Sequence, residues 1–171
     1  MINKPQPGEF APWTEAYIAK VPHGPILEIL EYLKDSTYNF FSRMTAEQAD
    51  ITYAEGKWTI KQVLAHMIDT ERVFVYRALC FSRGEKQPLP GFDQDDYMAY
   101  TNVEARTMQD LASEFKAVRE STLYLYNSFT DEQALFIGTA SGYPVSVRAL
   151  VYMTAGHELH HLDILKERYI K

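Results

Sequence analysis

Apolar residues return every three or four positions through most of this chain, and the runs that keep this rhythm are long. In ILEILEYLKDSTYNFFSRM (26–44), Leu27, Leu30, Leu33 and Phe41 hold that spacing and predict a first helix. A second is predicted over IKQVLAHMIDTERVFVYRALCFSRG (60–84), with Thr59 as N-cap and Gly84 as stop. Its main apolar face carries Ile60, Met67, Phe74 and Ala78. A third runs over about 103–129, with Met108, Leu111, Phe115, Val118, Thr122 and Leu125 on one stripe. A fourth covers SVRALVYMTAGHELHHLDILKERY (146–169), with Ser146 as its N-cap.

The intervals read differently. KQPLPGFDQDDY (86–97) is a Pro/Gly loop leading into an acidic, short helical piece, in which Asp93, Asp95 and Asp96 are expected to cap a helix. FIGTASGYPV (136–145) is a turn-rich loop with room for a short extended stretch. Residues 1–25 interleave Pro5, Pro7, Pro12, Pro22 and Pro25 with Phe10, Trp13 and Tyr17. Proline blocks regular helix, so this segment reads as an arm laid over the body, with a short helix around Trp13–Lys20. Nothing divides the chain. The expectation is one all-α domain over 1–171, a four-helix bundle with an N-terminal arm.

Composition narrows the function classes. The 171 residues are 46% hydrophobic and 13% aromatic, which supports a packed core and excludes a disordered chain. The formal charge is −6 and the basic residues are scattered, which argues against nucleic acid as a partner. No apolar run reaches the roughly 18–20 residues of a membrane span. Cys80 is the single cysteine, so no internal disulfide forms, and its apolar helical setting reads as core packing. A soluble cytoplasmic protein is the expectation.

The candidate chemistry lies in histidine. His157, His160 and His161 are three of the five histidines in the chain. A helix turns ~100° per residue. Around the helix axis from His157, Leu150 then lies ~20° to one side and Ile164 ~20° to the other. His161 lies ~40° round on the side of Leu150, and His160 ~60° round on the side of Ile164. His157 and His161 thus centre on the core-facing stripe, one turn apart, spaced to hold one metal ion. His160 sits on its shoulder. His66, in LAHMIDTER, is the only other histidine inside a long helix. It lies about 100° from the centre of its helix's apolar face, at the border of core and polar surface. Taken alone it is a hydrogen-bonded border residue. The string HELHH also fits HExxH, with Glu158 as a base between ligands His157 and His161. Only context opposes that reading, since an all-helical chain of this length is short for a peptidase cleft.

With these pieces in view the chain resembles the DinB/YfiT-like superfamily. The resemblance rests on the arm ending AYIAKVPHG, on KWTIKQVLAHMIDTERVFVYRAL, on the connector LPGFDQDDY and on the last helix AGHELHHLDILKERY. It implies an up-up-down-down bundle and a three-histidine divalent-metal site, usually zinc or nickel. By matching motif the ligands are His66, His157 and His161, with His160 a flanking ring. Homodimers are common in the family. The fourth helix does carry a second apolar seam, Val151, Ala155, Leu159 and Leu162, which calls for a partner helix or a second subunit.

Three neutral imidazoles leave the charge of a divalent ion uncancelled, so the ion lowers the pKa of a bound water or thiol. The resemblance implies an enzyme on a small-molecule substrate: a metal-dependent hydrolase, or a transferase or isomerase using a low-molecular-weight thiol. Asp69, one turn after His66, is a candidate base or orienting group. Arg77, further along the same border, is a candidate for an anionic substrate group, and Arg168 a candidate for closing the base of the bundle. His23 reads as a turn residue. The competing expectation is non-enzymatic: a structural metal staple closed by His160 or Asp69, or a vacant site on a binding or stress-response module.

Overall fold

The computed structural model describes residues 2–170. After a 3-10 turn at Pro12–Thr14, the helices are α1 (Glu15–Lys20), α2 (Ile26–Phe41), α3 (Ala46–Ala49), α4 (Ile60–Ser82), α5 (Gln94–Ala99), α6 (Met108–Asn127), α7 (Asp131–Ala134) and α8 (Val147–Ile164). A π-helical turn, Leu165–Tyr169, extends α8. Helix starts follow local chemistry. Thr59 and Gln62 form a capping box that opens α4, and Ser146 accepts the Ala149 N–H to open α8. The third long helix begins later than its periodicity suggests. Thr107 caps it at Met108, and Val103–Ala105 is a separate 3-10 turn. Asp93 Oδ1 accepts the N–H groups of Asp95 and Asp96 and starts α5 as expected.

The four long helices pack as a bundle around two apolar clusters. One joins the first halves of α2 and α8 (Ile26–Leu33, Val147–Ala155) to the second halves of α4 and α6 (Phe74–Phe81, Leu123–Tyr126). The other joins the remaining halves, through Phe41, Ile60–Ile68, Met108–Phe115 and Leu162–Leu165. So α2 and α8 run one way and α4 and α6 the other. The order is up-down-down-up, which corrects the up-up-down-down order implied by the resemblance. The physical reason is in the connections. Residues 42–59 and 128–146 each stay at one end, packing against a single cluster. Only 83–107 returns along the bundle, from Leu89 at one end to Met98 and Val103 at the other. An up-up-down-down bundle needs two such crossovers.

Between the apolar clusters lies a belt of buried polar side chains: Thr37 on α2, His66, Thr70 and Glu71 on α4, Arg119 and Thr122 on α6, His157 and Glu158 on α8. His66 is only 4% exposed, deeper than its border position on the helical wheel indicates. The helix α4 packs against both α6 and α8, so its buried surface is wider than one stripe.

The arm and α1 lie along α8. A Cβ at Gly156 would come within 2.2 Å of the Tyr17 carbonyl oxygen, so the two backbones meet there. The second seam of α8 is buried by this chain itself, with Val151 and Ala155 in the same cluster as Ile18 and Val21. Further out, Arg148 and Ser146 both bind the carboxylate of Glu9, and Trp13 stacks edge-on to Tyr143 at 4.3 Å. The turn-rich loop is a true antiparallel hairpin, β1 (Ile137–Ala140) with β2 (Tyr143–Ser146). Ser141 and Gly142 at its tip have φ of 54° and 81°, the positive pair of a tight two-residue turn.

Candidate metal centre

The helices α4 and α8 bring three histidine rings to one point in the polar belt. His157 Nε2 lies 3.0 Å from His66 Nε2 and 3.0 Å from His161 Nε2. The three ligand atoms lie within 4.8 Å of one another. A ring nitrogen has one in-plane position, a proton or a lone pair. The single in-plane position of His157 Nε2 cannot serve two 3.0 Å ring contacts well. With all three rings in the Nδ1–H tautomer their Nε2 lone pairs converge, which is the donor set of a divalent cation. The residues therefore fit the metal that the sequence implies. The other face of the His66 ring supports this: its Nδ1 sits 3.4 Å from Thr70 Oγ1, a partner for the Nδ1–H tautomer that frees Nε2. Burial keeps all three rings neutral. It lowers the pKa of His66 to about 4, that of His161 to about 3, and that of His157 well below the ordinary value. Trp58 packs on His66 at 4.9 Å, and Tyr17 and Phe74 edge onto His157 at 5.7 and 6.0 Å.

Glu158 follows His157 but points elsewhere. Its Oε1 accepts from Thr37 Oγ1 at 2.5 Å and its Oε2 from Arg119 Nη2 at 2.7 Å. Arg119 also binds Glu71 through both carboxylate oxygens, at 2.8 Å each, and Tyr126 and Thr154 pair nearby at 2.9 Å. This network ties α2, α4, α6 and α8 together behind the histidines. Glu158 is thus spent on helix packing, and the HExxH reading loses its base. Arg119 sits on the buried stripe of α6, four residues after Phe115 and three before Thr122, and that spacing is the one sequence signal of its burial.

Two cavities flank the centre. The first, about 420 Å³, is lined by His66, His157, Thr70 and Arg77, with apolar walls from Trp13, Phe74, Tyr143 and Met153. The second, about 390 Å³, is lined by His161, His160, Tyr53, Trp58 and Lys57. Tyr17 and Gln94 border both. His160 stands outside the ligand cluster, half exposed, with its ring 5.0 Å from Tyr17. Arg77 lines the first cavity and also a smaller one of about 290 Å³ with Leu89 and Tyr97. Asp69 does not join the histidines: it lines a separate cavity with Arg72 and Glu114, and Arg72 Nη1 lies 3.6 Å from its carboxylate. Arg168 lies over the Tyr53 ring at 5.4 Å.

The fold and this centre define a helical bundle with a three-histidine cluster, and comparison with known proteins gives its family. The chain belongs to the DinB superfamily, whose family model matches residues 29–165. A curated protein of Oceanobacillus iheyensis, named "putative metal-dependent hydrolase", is 28% identical over 151 residues, 82% of this chain and 85% of that protein. Among solved structures, YfiT from Bacillus subtilis superposes with a TM-score of 0.70 at 17% identity, covering 96% of this chain and 90% of its own. Its structure is described as a "probable metal-dependent hydrolase with an unusual four-helix bundle topology". A mycothiol-dependent maleylpyruvate isomerase superposes with a TM-score of 0.67 at 15% identity, covering 85% of this chain and 62% of that one. Among the described residues no helix is long and apolar enough to cross a membrane.

Proposed function

We propose that this protein is a metal-dependent enzyme acting on a small-molecule substrate, with a divalent ion, zinc or nickel, held by His66, His157 and His161. The observation that carries the reading is the convergence of three neutral imidazole nitrogens, two on buried rings and one on the part-buried His161, at the wall of a cavity. When bound, the ion supplies Lewis acidity and lowers the pKa of a water or thiol. The chain's own residues do the rest. Thr70 and the aromatic walls hold the rings in place, the Arg119 network fixes α4 against α8, and Tyr17 with the arm covers the centre from solvent.

Hydrolysis and thiol transfer both fit this arrangement. The relatives' names support hydrolysis. One specific observation favours transfer or isomerisation with a low-molecular-weight thiol: the centre stands between two cavities of similar size. Water needs no second chamber, whereas a thiol cosubstrate does. The thiol-dependent isomerase among the structural neighbours is consistent with this.

Elemental mass spectrometry on untagged protein tests the centre. The expected result is about one zinc or nickel ion per chain, lost in His66→Ala and His161→Ala variants that keep their helical circular dichroism. Wild-type protein that holds no metal even after reconstitution would sink the enzymatic reading. Turnover assays with thiol cosubstrates and with small amides then separate the two reactions.

A further inference from the structure

Arg77 is a buried cation without an anion beside it. It is 7% exposed, eleven residues after His66 on α4, which places it about 20° round the same face. Its Nη2 donates to the Pro90 carbonyl at 2.8 Å and to Ser141 Oγ at 3.1 Å. Both acceptors are neutral. Among the described residues no carboxylate lies within 4 Å of it, whereas Arg119, Arg148 and Arg106 are all paired with glutamate or aspartate. Asp93 lines the same cavity, but its Oδ1 is committed to the N–H groups that start α5. Burying an unpaired charge is costly, so this arginine calls for an anion from outside the chain.

Its surroundings are built to hold it. The acceptor Ser141 is the one described residue other than glycine with positive φ, at 54°. Asparagine, aspartate or glycine suits that turn position better. The serine keeps a strained backbone and presents its hydroxyl to Arg77, the pattern of strain retained at a working site. The crossover segment fixes the hairpin from the other side, since Leu89 exchanges backbone hydrogen bonds with Thr139 and Ser141. Arg77 Nε and Nη1 make no hydrogen bond within the described chain and remain free for a ligand.

We propose that Arg77 and Ser141 form an anion subsite that seats the carboxylate of an amphipathic substrate. Its apolar body lies along Trp13, Phe74, Tyr143 and Met153, and its reacting end reaches the histidines. One guanidinium with an acidic side chain nearby matches a single negative charge better than a phosphate dianion. The proposal deepens the metal-dependent reading of the same cavity and rests on it for the location of the reacting end.

Calorimetric titration tests it with 3-phenylpropionate and its neutral amide as probes, on zinc-reconstituted and on chelated protein. The carboxylate is expected to bind both forms, and the amide about 10-fold more weakly or worse. Arg77→Gln should lose about 10- to 100-fold for the carboxylate and leave the amide unchanged. Ser141→Gly, which suits the positive φ and protects the fold, should show a smaller loss of the same kind. The proposal is overturned by equal affinity for the two probes, by no saturable binding of the carboxylate at millimolar concentration, or by unchanged affinity in Arg77→Gln. It is also overturned if carboxylate binding vanishes on chelation and in His66→Ala but not in Arg77→Gln. The carboxylate is then a metal ligand, and the metal reading survives. Arg77-dependent binding in a protein that never holds metal would instead keep the subsite and remove the metal reading.

Discussion

Arg119 holds two carboxylates, Glu71 and Glu158, in an interior where all three side chains are at most 4% exposed. Removing the guanidinium strands both. Arg119→Met should therefore lower the unfolding free energy by ~3–5 kcal/mol, read by urea denaturation. Glu158→Gln should keep the metal and lose only ~1–3 kcal/mol, because one charged hydrogen bond weakens while Thr37 keeps a partner. A base in an HExxH site would give the opposite result, lost turnover at unchanged stability. At Ser141, glycine should hold or raise the melting temperature, by relief of the positive φ worth roughly 1 kcal/mol, even as carboxylate affinity falls. At this scale the sequence was uneven in what it disclosed. The His157/His161 pair was legible because i, i+4 spacing puts both rings on the apolar stripe. That spacing also suits plain packing or an HExxH site, and His66 joined the pair only through the family resemblance. Arg119 was not legible, because an arginine reads as solvated even on the stripe of Phe115 and Thr122 until its two glutamates, on other helices, are brought to it.

The short helix α1 owes its place on α8 to Gly156, where any side chain would strike the Tyr17 backbone. Gly156→Val should undock α1 and carry Tyr17 off the centre. Hydrogen exchange should then speed up across residues 12–20, with a stability loss of ~1–3 kcal/mol from overpacking. The arm has a second anchor with a defined pH response. Hydrogen bonding to Arg148 is the main cause holding the Glu9 carboxyl below its ordinary value of about 4.5, with Ser146 and the Gln6 N–H adding to it and burial opposing. A depressed carboxyl pKa means that this anchor contributes fully above pH 4.5 and is lost as pH falls through the lower, folded value. Arm protection should hold at neutral pH and decline only in acid below 4.5, and Glu9→Gln should flatten that decline. Element by element, the four long helices and their caps at Thr59 and Ser146 were readable, since periodicity and capping are local. Helix direction was not. Whether 83–107 turns back at one end or runs the length of the bundle depends on where Leu89 and Met98 pack, and nothing local records that.

On the scale of the whole molecule, two apolar clusters are divided by one polar belt, and both the histidine centre and the Arg119 network lie in it. The centre joins only α4 to α8, whereas the network and the clusters join all four long helices. This division of labour separates an enzymatic ion from a structural staple. If the ion were the staple, chelation would release the bundle, as it does in small domains whose fold depends on metal. Here the bundle has its own core, so the chelated protein should keep its helical circular dichroism and still melt cooperatively. The ion should add only its binding linkage. At about 100 times its Kd that is ~2.7 kcal/mol, a melting shift of roughly 5–11 °C for a chain of this size. His66→Ala should melt at the temperature of the chelated wild type or lower, and should no longer respond to chelator. Chelation that abolishes the transition would make the three histidines a fold determinant. A modest, saturable shift leaves them free to serve the two cavities on either side.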